Sequence, residues 1–163
     1  MKKSRLIQFF FAFLTSSVLL GCSETIHTSI EIEASSQDTW HILTDFKNYP
    51  EWNTFVQKVE GDVSPGSVIQ VRVQSGGDEP MDFEPTVLHN DENEILEWEG
   101  QFLMPGIFTG RHGFILESMG PGQTLLIHKE DFHGILVPFF DFSGTEEGFK
   151  AMNRALKKRV EGI

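Results

Sequence analysis

Cysteine is nearly absent from this chain: Cys22 is the only one, so no disulfide bond can form within one molecule. Cys22 follows a basic and then apolar N-terminal segment, where we predict that it is acylated. An acylated cysteine leaves no thiol for nucleophilic catalysis or for a metal ion. A disulfide framework, a thiol nucleophile and a cysteine metal ligand are therefore excluded.

Basic residues are also scarce, at 13 Lys and Arg against 24 Asp and Glu, for a formal net charge of −11. Such a surface repels phosphate backbones and anionic headgroups, so the chain is not expected to bind nucleic acid. It contains no P-loop, dinucleotide fingerprint, nucleophile elbow or zinc-finger spacing. No cofactor is predicted, because these motifs are missing. Internal repeats and low-complexity tracts are absent too, so the function must be sought in individual side chains.

The N-terminus has the pattern of a lipoprotein signal peptide. Residues 1–5 are basic, residues 6–20 are mostly apolar, and Leu19-Leu20-Gly21-Cys22 resembles a lipobox. A transmembrane anchor or an ordinary signal peptide are the alternatives, but the apolar run is short for a bilayer. We predict a signal peptide over residues 1–21, a short tether over residues 22–26 and one domain over residues 27–163. The domain would be lipid-anchored in the cell envelope, on the extracytoplasmic side of a membrane.

The remainder alternates between apolar and polar residues in the period of β-strands, separated by Pro, Gly and Asn turns. Near the C-terminus, Phe149, Met152, Leu156 and Val160 recur every three or four residues, which predicts a helix over residues 145–160. The pattern predicts an α+β domain with an antiparallel sheet of about seven strands. The predicted strands cover residues 29–34, 56–61, 68–74, 81–90, 95–102, 108–118 and 124–133.

Residues 40–56, WHILTDFKNYPEWNTFV, follow the strand pattern of residues 29–34 and predict two short helices. Asp38 is the predicted N-cap of the first helix, and Pro50 suits the first position of the second. This opening, together with Leu96-Glu97-Trp98-Glu99-Gly100 and the later segments 110–114 and 130–134, resembles the polyketide cyclase/dehydrase-like branch of the START-like (SRPBCC) superfamily. The resemblance implies a helix-grip fold, in which the sheet wraps around a long C-terminal helix. It also implies a cavity for lipids, polyketides, isoprenoids or aromatic compounds.

Strand parity predicts which side chains face the helix. Around the Pro105-Gly106 turn, pairing Trp98 with His112 places Glu99 opposite Arg111 on the other face, as an opposite-charge pair. We therefore predict a ligand site on the inward face and on the facing helix. Its predicted residues are Trp98, Phe102, Phe108, His112, Phe114, His128, Glu130, Phe132, Phe149 and Met152.

Three polar residues interrupt this apolar face: His112, His128 and Glu130. They could bind a metal ion, since two His and one carboxylate is a known zinc ligand set, although no metal site is predicted. They could instead carry out acid–base chemistry, or form a hydrogen-bonded cluster that orients a ligand. The last interpretation is preferred, and the three remain only candidate catalytic residues.

Three functions are compatible with these features. The preferred one is binding of a small apolar or amphipathic ligand by a membrane-tethered domain. The alternatives are a cyclase- or dehydrase-like enzyme using a His/Glu pair, and an interaction module without a ligand. Phe139, Phe140 and Phe142 precede the C-terminal helix, where they would cover the core, close the cavity or dip toward the membrane.

Overall fold

The computed structural model describes residues 22–75 and 79–162. The predicted signal peptide and the Gly76-Gly77 turn lie outside these residues. Within them no helix is long and apolar enough to cross a membrane. The predicted strands and helices account for almost all of the regular structure found.

The described residues form eight strands, two α-helices and two 3₁₀ helices, and the strands are antiparallel. The strands are β1 (Cys22–Ile32), β2 (Val56–Glu60), β3 (Gln70–Val73), β4 (Met81–Phe83), β5 (Thr86–Asp91), β6 (Ile95–Phe102), β7 (Phe108–Gly120) and β8 (Gln123–Gly134). The helices are α1 (Ser36–Leu43), α2 (Ser143–Glu161) and the 3₁₀ helices Phe46–Glu51 and Val137–Phe139.

The strands form a five-stranded sheet in the order β1-β8-β7-β6-β5 and a three-stranded sheet in the order β2-β3-β4, and an isolated bridge between Val68 and Thr86 extends the arrangement. Helix α2 packs on the concave side of this sheet, as in the predicted helix-grip fold. Phe149, Met152 and Leu156 are fully buried there, which confirms the apolar face expected for this helix.

One predicted strand is divided. The expected strand over residues 81–90 is interrupted at Glu84-Pro85 and becomes β4 and β5. Proline has no N–H to donate to a neighbouring strand, so pairing stops there and the sheet bends. This division raises the number of described strands from the predicted seven to eight.

The cap of α1 differs from the prediction. Ser35, not Asp38, is the N-cap, and its hydroxyl oxygen accepts a hydrogen bond from the backbone N–H of Asp38 at 3.1 Å. The helix begins three residues earlier than expected because Ser35 has the extended backbone that an N-cap requires.

The segment predicted to be a tether, residues 22–26, is instead the beginning of β1. It pairs with the end of β8, in a register that places Cys22 opposite Gly134. The Thr25 hydroxyl also donates a hydrogen bond to Asp131 at 2.8 Å. The strand extends to Cys22 because β8 is long enough to offer backbone partners over the whole length of β1. Cys22 therefore lies at the edge of the folded domain, with no intervening linker.

The predicted hairpin register is confirmed. Trp98 pairs with His112 and Phe102 with Phe108. On the outer face the Arg111 guanidinium lies 3.5 Å from the Glu99 carboxylate. Trp98 and His112 consequently point toward α2, and both are almost completely buried.

Candidate functional site

His112, His128 and Glu130 come together as predicted. His112 on β7 lies directly opposite Glu130 on β8, and His128 is two residues from Glu130 on the same face. The two imidazoles approach at 3.2 Å between their Nε2 atoms, and His112 Nδ1 lies 3.5 Å from Glu130 Oε2. Cross-strand pairing alone is sufficient to produce this contact.

Two residues that the sequence analysis did not predict extend this cluster. Asn153 on α2 accepts a hydrogen bond from His128 Nδ1 through its Oδ1 atom, at 2.9 Å. Its amide nitrogen donates to the Thr28 hydroxyl on β1 at 3.0 Å, and that hydroxyl donates to the His128 carbonyl oxygen at 3.3 Å. We call Glu130, His112, His128, Asn153 and Thr28 the polar chain.

A signal for Asn153 was present in the sequence. It lies four residues after Phe149 and three before Leu156, which places an amide on the buried stripe of α2. A polar residue on such a stripe requires a buried partner. Thr28 had no comparable signal, because β1 was predicted to begin one residue later.

Aromatic rings enclose the two imidazoles. His112 stacks on Trp98 with 4.7 Å between ring centroids, and its other side meets the Phe149 ring edge at 5.2 Å. His128 stacks on Phe149 with 3.6 Å between centroids. The space predicted between Trp98 and Phe149 is thus filled by His112.

Hydrogen-bond geometry sets the position of the protons. Burial lowers the pKa of His128 well below its ordinary value, and the neighbouring His112 lowers it further, so His128 is neutral. The Asn153 Oδ1 atom can only accept, so the proton of His128 is on Nδ1 and its Nε2 is bare. A hydrogen bond between the imidazoles then requires His112 to donate from Nε2. The remaining His112 nitrogen faces the Glu130 carboxyl, where a hydrogen bond requires one proton between the two groups.

Glu130 is the member of the polar chain that reaches solvent, with 18 % of its side chain exposed. Its carboxylate lies over Gly110 on β7. A Cβ at that position would be only 2.7 Å from Glu130 Oε1, so the absence of a side chain makes room for the carboxylate. The polar chain therefore runs from the closed core to an accessible acid.

A cluster of four phenylalanines begins beside the accessible end of the polar chain, because the Phe132 ring lies over Gly110 next to the Glu130 carboxylate. Phe132 stacks on Phe142 with 4.3 Å between ring centroids, and Phe108 contacts Phe140 at 4.8 Å and Phe132 at 5.4 Å. Phe140 and Phe142 come from the segment that precedes α2. This segment covers the end of the core, which is one of the placements predicted for it.

The other predicted ligand residues divide by position. Trp98, Phe114, Phe132, Phe149 and Met152 are buried on the inner side, and Phe108 is half-buried. Phe102 lies on the inward face, opposite Phe108, but it is 53 % exposed, so the prediction that it is enclosed between sheet and helix is wrong. It lies at the end of β6, where the hairpin extends past the part of the sheet that α2 covers. Contact of any of these residues with a ligand stays a prediction.

A groove of about 770 Å³ opens between the first residues of β1 and the segment leading into α2. It lies at one end of the space between sheet and helix that was predicted to hold a ligand. The centre of that space is filled by Phe149, His128 and Met152. Its walls include Ile26, Val137, Phe140, Phe142 and the acidic side chains of Glu24 and Glu146. The groove thus combines apolar and acidic surfaces.

Within residues 22–75 and 79–162, no group of three His, Cys, Asp or Glu side chains is arranged to hold a metal ion. The two imidazoles and the Glu130 carboxyl instead contact one another, as expected of a hydrogen-bonded cluster.

Solved structures of similar fold are numerous and have low sequence identity. A START superfamily protein from Mycobacterium smegmatis matches with a TM-score of 0.64 and 22% identity, over 85% of this chain and 97% of that one. The Zhui aromatase/cyclase from Streptomyces sp. R1128 matches with a TM-score of 0.68 and 14% identity, over 86% and 94%. Norcoclaurine synthase from Thalictrum flavum matches with a TM-score of 0.64 and 17% identity, over 87% and 96%. At these identities the likeness concerns the fold alone.

No curated protein matches the chain in sequence. The family model described as "Polyketide cyclase / dehydrase and lipid transport" matches residues 23–162, which is nearly the whole domain. Folds of this kind commonly bind hydrophobic ligands. The chain thus belongs to the polyketide cyclase/dehydrase and lipid transport family, within the START-like (SRPBCC) superfamily.

Proposed function

We propose that this domain binds a small hydrophobic or amphipathic molecule at the end of the sheet where β1 begins and the segment before α2 crosses. The apolar part of the ligand would contact Phe108, Phe132 and Phe142, and its polar group would meet Glu130. The protein would act in the cell envelope, attached to a membrane through an acylated Cys22 and facing the extracytoplasmic side.

One observation carries this proposal: the polar chain ends in a partly exposed carboxyl among aromatic rings. A buried polar chain that served only to stiffen the core would need no accessible end. An acid at the edge of an apolar surface can accept a hydrogen bond from a ligand hydroxyl or amine while the rings contact its hydrocarbon part. The other three buried members, His128, Asn153 and Thr28, hold His112, and His112 in turn orients Glu130.

Extraction of the purified protein with organic solvent, followed by mass spectrometry, tests this proposal. We expect an apolar or amphipathic molecule in near-stoichiometric amount from the wild type. Glu130→Gln should retain about five-fold less, because an amide replaces the carboxylate acceptor. The matched control is Glu117→Gln, an exposed residue on the outer surface of β7, which should retain as much as the wild type. A wild type that retains nothing would favour the interaction module without a ligand.

The enzyme alternative is favoured by the proton that the His112–Glu130 contact requires. Such a pair could transfer a proton to or from a bound substrate in a cyclase- or dehydrase-like reaction. Glu130→Gln separates the two functions, because glutamine preserves the shape of the side chain but cannot exchange a proton near neutral pH. If the extracted molecule is converted by the wild type and is bound but not converted by Glu130→Gln, the protein is an enzyme. An effect on affinity alone, with the molecule chemically unchanged, supports binding.

A further inference from the structure

Most of the exposed large apolar side chains lie at one end of the molecule. The described residues include ten such side chains, and six of them come from the β6–β7 turn and the segment after β8. The most exposed are Phe139 at 81 % and Leu103 at 74 %. We call the six the apolar tip: Phe102, Leu103, Met104, Ile135, Phe139 and Phe140.

The two segments form one surface because backbone hydrogen bonds join them. Ile135 N–H donates to the Gly106 carbonyl oxygen at 3.1 Å, and Leu136 N–H donates to that of Ile107 at 3.1 Å. Leu103 adopts a φ of 70°, in the left-handed region that residues with a Cβ rarely occupy. A tightly turned backbone thus displays an exposed leucine where a glycine would be unstrained.

The apolar tip is also without formal charge. Residues 100–110 and 132–140 contain no Asp, Glu, Lys or Arg, although the whole chain is 23% charged. An exposed apolar patch of this kind on an otherwise charged domain is typical of a surface that contacts another apolar phase.

The position of Cys22 indicates which phase this is. Cys22 pairs with Gly134, immediately before Ile135, so the proposed site of acylation lies beside the apolar tip. We propose that the apolar tip inserts into the interfacial region of a phospholipid bilayer, beside the point where the N-terminal segment joins the domain. This inference rests on the membrane attachment in the proposed function and adds the orientation of the domain.

Charge around the tip specifies the kind of bilayer. Glu24, Asp131 and Asp141 flank it and would be repelled by anionic headgroups. Insertion would therefore depend on Phe and Leu side chains, which partition into the interface, and not on a basic patch. In this orientation the groove, whose walls include Cys22, lies beside the bilayer, so a ligand dissolved in the membrane could enter the groove without crossing bulk water.

Fluorescence quenching in vesicles tests the orientation. The lipidated protein, in which acylation leaves no free thiol on Cys22, would carry one reporter cysteine, Leu103→Cys, labelled with bimane and reconstituted into phosphatidylcholine vesicles with brominated acyl chains. The matched control is Met119→Cys, 50 % exposed near the end of β7, at the opposite end of the β7–β8 hairpin. We expect at least three-fold stronger quenching at position 103 than at position 119. Anionic phosphatidylglycerol in the vesicles should weaken this quenching.

A further variant separates insertion of the tip from attachment through Cys22. Phe139→Asp adds a charge to the tip while the acylated Cys22 still holds the protein on the vesicle, so quenching at position 103 should fall to the level at position 119. Equal quenching at both positions without this substitution overturns the inference. Protection of position 103 from both brominated lipid and aqueous iodide, with a dimer in solution, would assign the surface to a second copy instead. Neither result bears on ligand retention, which tests the proposed function separately.

Discussion

His128 is fully buried, and every polar atom of its ring has a partner in another element. Replacing any partner would leave a buried donor or acceptor without a hydrogen bond, which costs about 1–3 kcal/mol. The imidazole is neutral in the folded protein because burial lowers its pKa. Because His128 is kept neutral only in the folded protein, the free energy of unfolding depends on pH.

We expect the free energy of unfolding to fall as the pH decreases below 6.5, the ordinary pKa of histidine. Below that value the unfolded chain binds a proton at His128 and the folded protein does not, so stability is lost by up to about 1.4 kcal/mol per pH unit. His128→Gln should reduce this slope between about pH 6.5 and 5 in urea denaturation. The control, His133→Gln on the outer face, should keep the wild-type slope. An unchanged slope in His128→Gln would refute the assignment of this pH dependence to His128.

Gly110 leaves the space that the Glu130 carboxylate occupies. In Gly110→Ala the new Cβ would lie 2.7 Å from Glu130 Oε1, so the flexible carboxylate should move away from His112. We expect ligand retention to fall about as far as in Glu130→Gln, with a loss of stability of about 1–2 kcal/mol, because the new Cβ would also lie 3.2 Å from the buried Phe132 ring. Gly100→Ala, in the paired position on β6, is the control, since its nearest neighbour is Pro85 at 3.7 Å. Similar retention in both variants would contradict this role for Gly110.

At the scale of elements, α2 holds the core together. Phe149 on α2 contacts rings from three other segments: Phe55, His112 and His128. Gly148, the preceding residue, allows the Phe55 ring to lie against the helix, because a Cβ there would overlap that ring. The backbone of α2 therefore lies directly against the Phe55 ring.

Phe149→Ala should lower the free energy of unfolding by on the order of 3 kcal/mol, because it removes a fully buried ring and leaves a cavity. Phe139→Ala is the matched control. Its ring is mostly exposed, so its removal should change stability by less than about 0.5 kcal/mol. Urea denaturation of both variants gives the comparison. Equal losses would mean that the ring of Phe149 is not part of the core.

For the molecule as a whole, three features lie at one end: the accessible carboxyl, the groove and the apolar tip. Cys22 lies at the same end, opposite Gly134. Gly134 has a φ of 138°, and a Cβ there would collide with the backbone of Ile107. This close approach brings the β6–β7 turn and the segment after β8 together, and so forms the end of the molecule.

Cys22→Ser tests the predicted anchor. It should abolish lipidation and release the protein from the membrane fraction, while thermal unfolding stays unchanged because Cys22 is exposed and pairs through its backbone. Ser23→Ala, at the neighbouring exposed position, should remain membrane-bound. Membrane association and N-terminal processing identical to the wild type would exclude acylation at Cys22. The predicted localisation in the cell envelope depends on this result.

The helix-grip architecture and the β6–β7 register could be predicted from the sequence. A period of two residues and a Pro-Gly turn set which side chains of neighbouring strands share a face, so strand parity alone places Trp98, His112 and Glu130 together. Family resemblance contributes the wrapping of the sheet around α2. The Ser35 cap and the start of β1 at Cys22 do not follow from the pattern, because element boundaries depend on partners elsewhere in the chain.

The amino-acid pattern determined the cross-strand neighbours of each residue within a hairpin, because these depend only on the alternation of side chains along a strand and on the position of the turn. Tertiary structure decided the rest. Asn153 and Thr28 meet His128 because α2 crosses β8 and β1 at one particular point, which no local period encodes. Phe102 has inward parity but is exposed, because α2 does not reach the end of β6. Side chains distant in sequence become neighbours through the packing of whole elements, and the buried surface of all those elements together sets that packing.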